Sequence, residues 1–446
     1  MTFRRAAVAA LFALVLAACF GGGQGERYQA MRDSLARERP RAGEAADDSL
    51  RGTSELTRDA LVASVLARNP GLDAARATAR AALARWPQET ALPDPTFGYA
   101  ARPRSFGSDE VDPASDFTLE QAIPFPGKLG LRGERALAEA EAAQGELSTE
   151  RTRLASVASI AFDEYWLAER ALETNAEQRE LIGRSHEVTL SRYASGTGPQ
   201  QDVLAAQTEQ AMLEHRKIEL DTERRIAGER INVLLHRDPA LALPPPPREL
   251  EQPPSHELDE KALVTRALES RPELRAAQAM VRAREADVSL ARREFLPDFT
   301  LRGAYEGSWQ EDPLKPLVGI ELNVPLQLGR RRAALEEAEA RLERERSRLR
   351  RLDDQIRLQV AVAIERLRES LHLLELTHER LLPAARARAQ GARAGFASGR
   401  VSFLELIDAE RALRAAGQAE LEARAKTSRR HAELARALGE TSEERP

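Results

Sequence analysis

The chain has 446 residues, of which 31% are charged and only 4% aromatic, and it carries a formal net charge of -5. Acidic and basic residues alternate instead of clustering, so there is no basic footprint for nucleic acid, and so few rings leave little for base stacking. The abundance of Ala, Arg, Glu and Leu is that of long packed helices.

The first element in chain order is a targeting segment. Arg4 and Arg5 precede an apolar run from Ala6 to Leu16, followed by Leu16-Ala17-Ala18-Cys19. This resembles a bacterial lipobox, which implies a signal peptide over residues 1–18, cleavage before Cys19 and acylation there, with enough chains for stable anchoring. Phe20 stands where an aspartate often retains lipoproteins in the inner membrane. Cys19 is the only cysteine, which excludes a disulfide or a thiolate metal site from the mature chain. Residues 19–54, polar and rich in Gly and charge, are expected to form a lipidated N-terminal tether, flexible or wrapping the surface. No later segment approaches 18 consecutive apolar residues, so a membrane could be crossed only by a barrel, or touched by the lipid alone.

From Glu55 onward the chain repeats itself. Leu66-Ala-Arg-Asn-Pro70 matches Leu268-Glu-Ser-Arg-Pro272, and Pro95 matches Pro297, both at an offset of 202. Pro124 matches Pro325 at 201, and Ala194-Ser-Gly196 matches Ala397-Ser-Gly399 at 203. The repeats are assigned to residues 55–243 and 255–439, joined by a Pro-rich, extended linker at 244–254, with a tail at 440–446. In each repeat a helix of moderate length leads to a β-like window, then to a very long helix, a Gly-centred break and another helix. Gly127 to Ala194 and Gly329 to Ala397 run almost without proline, Pro383 excepted, and Pro383 is expected to bend its helix. Leu349, Leu352, Ile356, Val360, Ala363, Leu367 and Leu374 keep the three-four spacing of a coiled-coil seam.

The β-like windows lie at about 96–123 and 298–324. Phe97, Tyr99 and Ala101 alternate with small or polar residues, as do Phe117, Leu119, Gln121 and Ile123. In the second repeat Phe299, Leu301, Gly303 and Tyr305 do the same, then Val318, Ile320, Leu322 and Val324. Nine of the twenty aromatics fall between Pro95 and Pro126 or between Phe295 and Pro325. Segments of this length with one greasy and one polar face suit membrane strands, although two hairpins covering a small soluble core would read alike. Four strands cannot close a barrel, and an open edge in hydrocarbon leaves backbone groups unsatisfied. Membrane strands here would require an oligomer, and three copies would supply twelve.

Duplication, order of elements and lipobox together resemble the TolC-type outer-membrane efflux family from Leu56 to Gly439. The phrase Gln121-Ala-Ile-Pro-Phe-Pro-Gly-Lys-Leu129 is most similar to the strand exit of its heavy-metal-efflux branch. The resemblance implies a mainly α protein with a small membrane β part: a long α-helical barrel continued by a trimeric transmembrane β-barrel, four strands per protomer, with the shorter helices stacked to match the long ones. It implies an outer-membrane location, a homotrimer, and partnership with a periplasmic adaptor and an inner-membrane pump. The tips that would dock the adaptor hold Ser195, Gly196 and Pro199 in one repeat and Ser398, Gly399 and Ser402 in the other. Gly196 and Gly399 suit a helix end with φ above zero, and Pro199 and Ser402 a helix start. Glu405 and Asp408 share a helix face and align with pore-facing carboxylates of the family, with Asp202 at the corresponding depth, so all three are candidate gate residues. Most of the 71 acidic residues are nevertheless expected to be solvated helix surface.

Catalytic chemistry is not legible. Gly127-Lys128 lacks the glycine and the Ser or Thr of a phosphate loop, there is no HExxH or GxSxG, and the seven histidines are scattered. No cofactor and no metal site are expected, nor an enzyme. Two other classes stay open: a periplasmic lipoprotein adaptor, which should lack duplicated strand windows, and a structural coiled-coil rod, which would leave them unexplained.

Overall fold

A computed structural model describes residues 23–37, 54–101, 115–250, 258–307 and 315–440. Cys19 and its leader, most of the tether, residues 251–254 of the linker and residues 441–446 of the tail lie outside them. The chain divides into two units, one of residues 1–38, 75–147 and 273–352, the other of residues 39–74, 148–272 and 353–446.

After α1 (Gln24–Arg37), the first repeat runs α2 (Arg58–Arg68), α3 (Pro70–Leu83), α4 (Trp86–Thr90), β1 (Thr96–Ala101), β2 (Ser115–Ile123), α5 (Lys128–Ala194) and α6 (Gln200–Leu234). The second runs α7 (Glu260–Ser270), α8 (Pro272–Arg293), β3 (Asp298–Glu306), β4 (Pro316–Asn323), α9 (Leu328–Leu376), a π turn (Thr377–Leu381), α10 (Leu382–Ala397) and α11 (Phe403–Leu438). Strand windows and long helices thus fall where the sequence places them, α5 alone having 67 residues.

The single moderate helix expected before each window is instead broken at a proline. A residue before proline is driven out of the helical region, and Asn69 (φ -69°, ψ 121°) and Arg271 (φ -63°, ψ 124°) are both extended. Each still closes the preceding helix by donating its N–H, to the Val65 and Ala267 carbonyls. Pro70 and Pro272 then open the next helix, where a missing N–H costs nothing. Pro383 acts differently. Its ring crowds the Glu379 carbonyl, and the turn before it widens until the Leu382 N–H reaches back to Thr377, so the strain is taken up as a π turn.

In the first unit the stretch expected to be a tether contributes α1, docked by side chains and not by its own propensity. Arg27 bonds Glu134 and Glu141 of α5 at 3.0 and 2.7 Å, Gln24 donates to the Gly130 carbonyl, and Tyr28 stacks on Trp86 with centroids 4.6 Å apart. The carboxyl of Glu141 is held below its usual range: burial pushes it up, but the Arg27 and Arg282 guanidinia outweigh that.

In the second unit Ile356, Val360, Ala363 and Leu367 of the seam are buried. From Pro244 to Leu250 the linker has no helix or strand and bends at 248–249, its Pro244 and Pro247 carbonyls accepting from Tyr165 and Trp166 and that of Pro245 from the Leu56 N–H. Arg58 of α2 meets Asp163 of α5 at 2.6 Å, and Ser428 of α11 donates to the same carboxylate at 3.1 Å. Asp163 is fully buried, and burial pushes its carboxyl up despite the opposing Arg58.

Candidate functional site

The four strands form one antiparallel sheet in the order β1-β2-β3-β4. Its register aligns Phe97, Leu119, Gly303 and Val318 across the sheet, and likewise Tyr99, Phe117 and Tyr305. Because side chains alternate between faces, these residues share one face with Ile123, Phe299, Leu301, Ile320 and Leu322. The other face carries Thr118, Glu120, Thr300, Arg302 and Glu321, with Arg302 3.6 Å from Glu120 and 3.4 Å from Glu321.

Among the described residues the apolar face is largely uncovered, apart from Phe125 stacked on Phe299. Val318 is 90% exposed, Ile320 68% and Phe97 67%, and Phe97, Tyr99 and Phe117 contact only one another's rings among the described aromatic pairs. A contiguous surface of this kind marks a lipid or partner contact. Among the described residues, β1 and β4 each have one neighbour only, so both outer edges keep unpaired backbone groups.

Below the sheet, the phrase Phe125-Pro-Gly-Lys128 ties the exit of β2 to the start of β3. The Phe125 N–H donates to Asp298 at 2.7 Å, and Lys128, 1% exposed, lies 2.9 Å from Asp298 and 3.4 Å from Glu294. Arg293 donates to the Pro126 carbonyl at 2.8 Å. Gly127 has φ 85°, a backbone conformation that favours glycine, and a Cβ there would fall 1.5 Å from the Arg293 guanidinium, which would have to move aside.

The two helical tips belong to the second unit and share one turn. After α5, the N–H groups of Thr197 and Gly198 donate to the Arg192 carbonyl; after α10, those of Arg400 and Val401 donate to the Gly395 carbonyl. Gly196 (φ 72°) and Gly399 (φ 73°) take the left-handed position expected of them. The turn leaves room for one side chain where its ends cross. In the first tip it belongs to Arg192, opposite Gly198; in the second to Val401, whose Cγ2 lies 2.4 Å from where a Cβ on Gly395 would be. Ser195 and Ser398 fold back on the carbonyls of the preceding turn. Pro199 is the N-cap of α6 and Ser402 that of α11. Phe396, Phe403, Leu406, Ile407, Ala206 and Leu213 form a core between the tips, with the Arg192 guanidinium 4.4 Å from the Phe396 ring centre.

Glu405 and Asp408 line one groove of about 730 Å³ with Arg388, Val401 and Leu404; Asp202 is not among its lining residues. Both carboxylates are engaged. Glu405 accepts from the Ser402 N–H at 3.2 Å, completing a reciprocal capping box, and Asp408 accepts from Arg388 at 2.6 Å. The Asp202 carboxyl is pushed up by partial burial, against the pull of Arg192. Sequence reasoning did not single out Glu209, 1% exposed and gripped by Arg411 and Arg414 at 2.7 and 2.8 Å, which links α6 to α11.

Comparison with known proteins agrees with this geometry. Residues 263–440 match the family described as Outer membrane efflux protein. Protein CyaE of Bordetella pertussis is 30% identical over 251 residues, a match that spans 54% of this chain and 51% of that relative. Among solved structures, the outer-membrane channel OprN covers 86% of this chain and 89% of its own at a TM-score of 0.71 and 22% identity. The outer membrane protein VceC of Vibrio cholerae covers 86% and 96% at 0.72 and 19%, and CusC covers 86% and 92% at 0.72 and 18%. At these identities the likeness to solved structures is one of fold.

Proposed function

We propose that this chain is a member of the outer membrane efflux protein family whose model matches residues 263–440, and that it is the outer-membrane channel of a tripartite efflux system, a passive duct from periplasm to exterior. The family and fold are those of channel proteins. The observation that carries the reading is the sheet: a largely uncovered apolar face, a polar face opposite, and two open edges. That combination is costly in water and satisfied in lipid once other copies close the edges. Three copies give a twelve-stranded barrel. Cys19 anchors each copy to the membrane by its acyl chains. The tips around Ser195, Gly196 and Pro199 and around Ser398, Gly399 and Ser402 receive a periplasmic adaptor, and an inner-membrane pump supplies the energy. The chain itself does no catalysis.

The cargo is a small solute or a metal ion. The heavy-metal branch rests on the Gln121–Leu129 phrase, whose Gly127 and Lys128 have the local duties described above. Glu405 and Asp408, with Asp202, are the carboxylates proposed to narrow and charge the exit, since rings of like charge in a confined pore raise a strong field. Purified protein is expected to run as a heat-modifiable trimer and to conduct in planar bilayers, with Glu405→Ala plus Asp408→Ala raising the single-channel conductance and weakening cation preference. An unchanged conductance and selectivity in the double variant would leave Glu405 as a helix cap and remove both residues from the gate. A monomer that never conducts would remove the channel.

A further inference from the structure

The exits of β2 and β4 stand at equivalent places in the two repeats, yet their charges are treated in opposite ways. After β2, Lys128 opens α5 and is buried, its ammonium met by Asp298 and Glu294. At the offset of 202 stands Arg330, followed by Arg331 and Arg332 where the first repeat has Leu129 and Gly130. Arg330 and Arg332 are exposed, and the guanidinium of neither has a partner among the described residues. Arg331 donates to the carbonyls of Glu294 and Gln327 at 2.6 and 3.4 Å, contacts that leave its charge unneutralised. The first turn of α9 contains no acidic residue. The carboxylates that neutralise Lys128 have no counterpart in the other repeat either, since the positions equivalent to Glu294 and Asp298 hold Leu92 and Thr96.

The three arginines stand at the foot of an apolar column. Val318, Ile320 and Leu322 lie on the apolar face of β4, and Val324, Leu326 and Leu328 continue the alternation down to α9. All six are exposed, Leu326 at 82%. At about 3.3 Å per residue the stretch from Val318 to Val324 rises about 20 Å, longer than the hydrocarbon of one leaflet, half of about 30 Å. Such a column, ending in three unneutralised positive charges, is complementary to a lipid with a negative headgroup. Its chains lie along Leu322 and Val324, and its phosphate oxygens meet guanidinium groups, whose planar fork of donors suits them. A zwitterionic headgroup brings a positive charge of its own to the same place and gains less.

We propose that Arg330, Arg331 and Arg332, with Leu322, Val324 and Leu326 beside them, form a binding site for an anionic phospholipid of the leaflet that faces the periplasm. The proposal rests on the channel reading, which sets the helical end of the sheet in that leaflet. It adds a preferred lipid and the residues that hold it. Free phosphate would meet the same arginines without using the column, so the column is what commits the site to a lipid.

The test uses the full-length oligomer reconstituted in equimolar phosphatidylglycerol and phosphatidylcholine, with native mass spectrometry counting the lipids retained on release. Wild type is expected to retain phosphatidylglycerol in preference. Arg330→Gln with Arg332→Gln should lower that preference about tenfold or more, given the usual attraction of basic residues to an anionic lipid surface. Arg330→Lys with Arg332→Lys should keep most of it. Arg350→Gln with Arg351→Gln removes the same charge about 30 Å farther along α9 and should leave the preference intact. Inorganic phosphate in excess should displace no lipid. Equal retention of the two lipids by wild type, an unchanged preference in the first variant, or an equal fall in the Arg350 and Arg351 variant would overturn the site while leaving the channel standing. Displacement by inorganic phosphate would overturn it as well, leaving a site for a free anion. A chain that never enters the bilayer would overturn both readings.

Discussion

Replacing Ile320 by arginine is expected to cost about 2–4 kcal/mol per copy, the amount for a cationic side chain on the lipid face near the middle of a bilayer. Ile320 is 68% exposed in the isolated chain, so without lipid the change would be a surface substitution worth at most about 0.5 kcal/mol. The contrast between these magnitudes makes the substitution informative. Thr118→Arg, on the polar face, is the control and is expected to stay near zero. Urea unfolding of the reconstituted protein reads both. Equal and small effects would place the apolar face against water or protein instead of acyl chains.

Arg58→Ala is expected to be the most damaging change in the helical part, at about 3–5 kcal/mol, because it leaves Asp163 buried without its counter-charge. Asp163→Asn should cost less, since it removes the buried charge and leaves Arg58 partly solvated. The pH dependence follows from the direction of the shift. Asp163 has a carboxyl raised by burial, so folding favours its protonated form. That contribution is complete below the ordinary aspartate pKa and is lost as pH rises through the folded value. Without Arg58 the carboxyl rises further, and the damage should shrink as the solution is acidified through the carboxylate range. Thermal loss of the helical circular dichroism signal across pH measures this. A cost for Arg58→Ala that does not change with pH would mean that Asp163 is not the charge left behind.

Much of the architecture was legible because it is written in residues whose constraints are local. Gly196 and Gly399 mark turns that need positive φ, and Pro124 and Pro325 end strands. Alternation over Phe117 to Ile123 and over Val318 to Val324 fixes which face is greasy whatever surrounds it. The capping box of Ser402 and Glu405 was equally available, since a serine three residues before a glutamate at a helix start is its signature. It gives Glu405 a structural duty beside the proposed gating one. What escaped depends on distant partners. α1 has a polar composition that reads as a tether, and it is held by Glu134, Glu141 and Trp86, far along the chain. Arg58 and Ser428 reach Asp163 across 105 and 265 residues, and nothing in their own neighbourhoods announces it. Pro70 and Pro272 were visible as repeat anchors, yet their effect as helix breaks was not drawn.

The most direct measurement is the reactivity of single cysteines placed in turn along β2 and β4 of the reconstituted protein, with Cys19 constant throughout. Leu119→Cys and Ile320→Cys should resist a water-soluble maleimide, and a fluorophore attached there should be quenched by brominated acyl chains. Thr118→Cys and Ala122→Cys should react freely and escape that quenching. Equal labelling on both faces, with no quenching by lipid, would contradict the account.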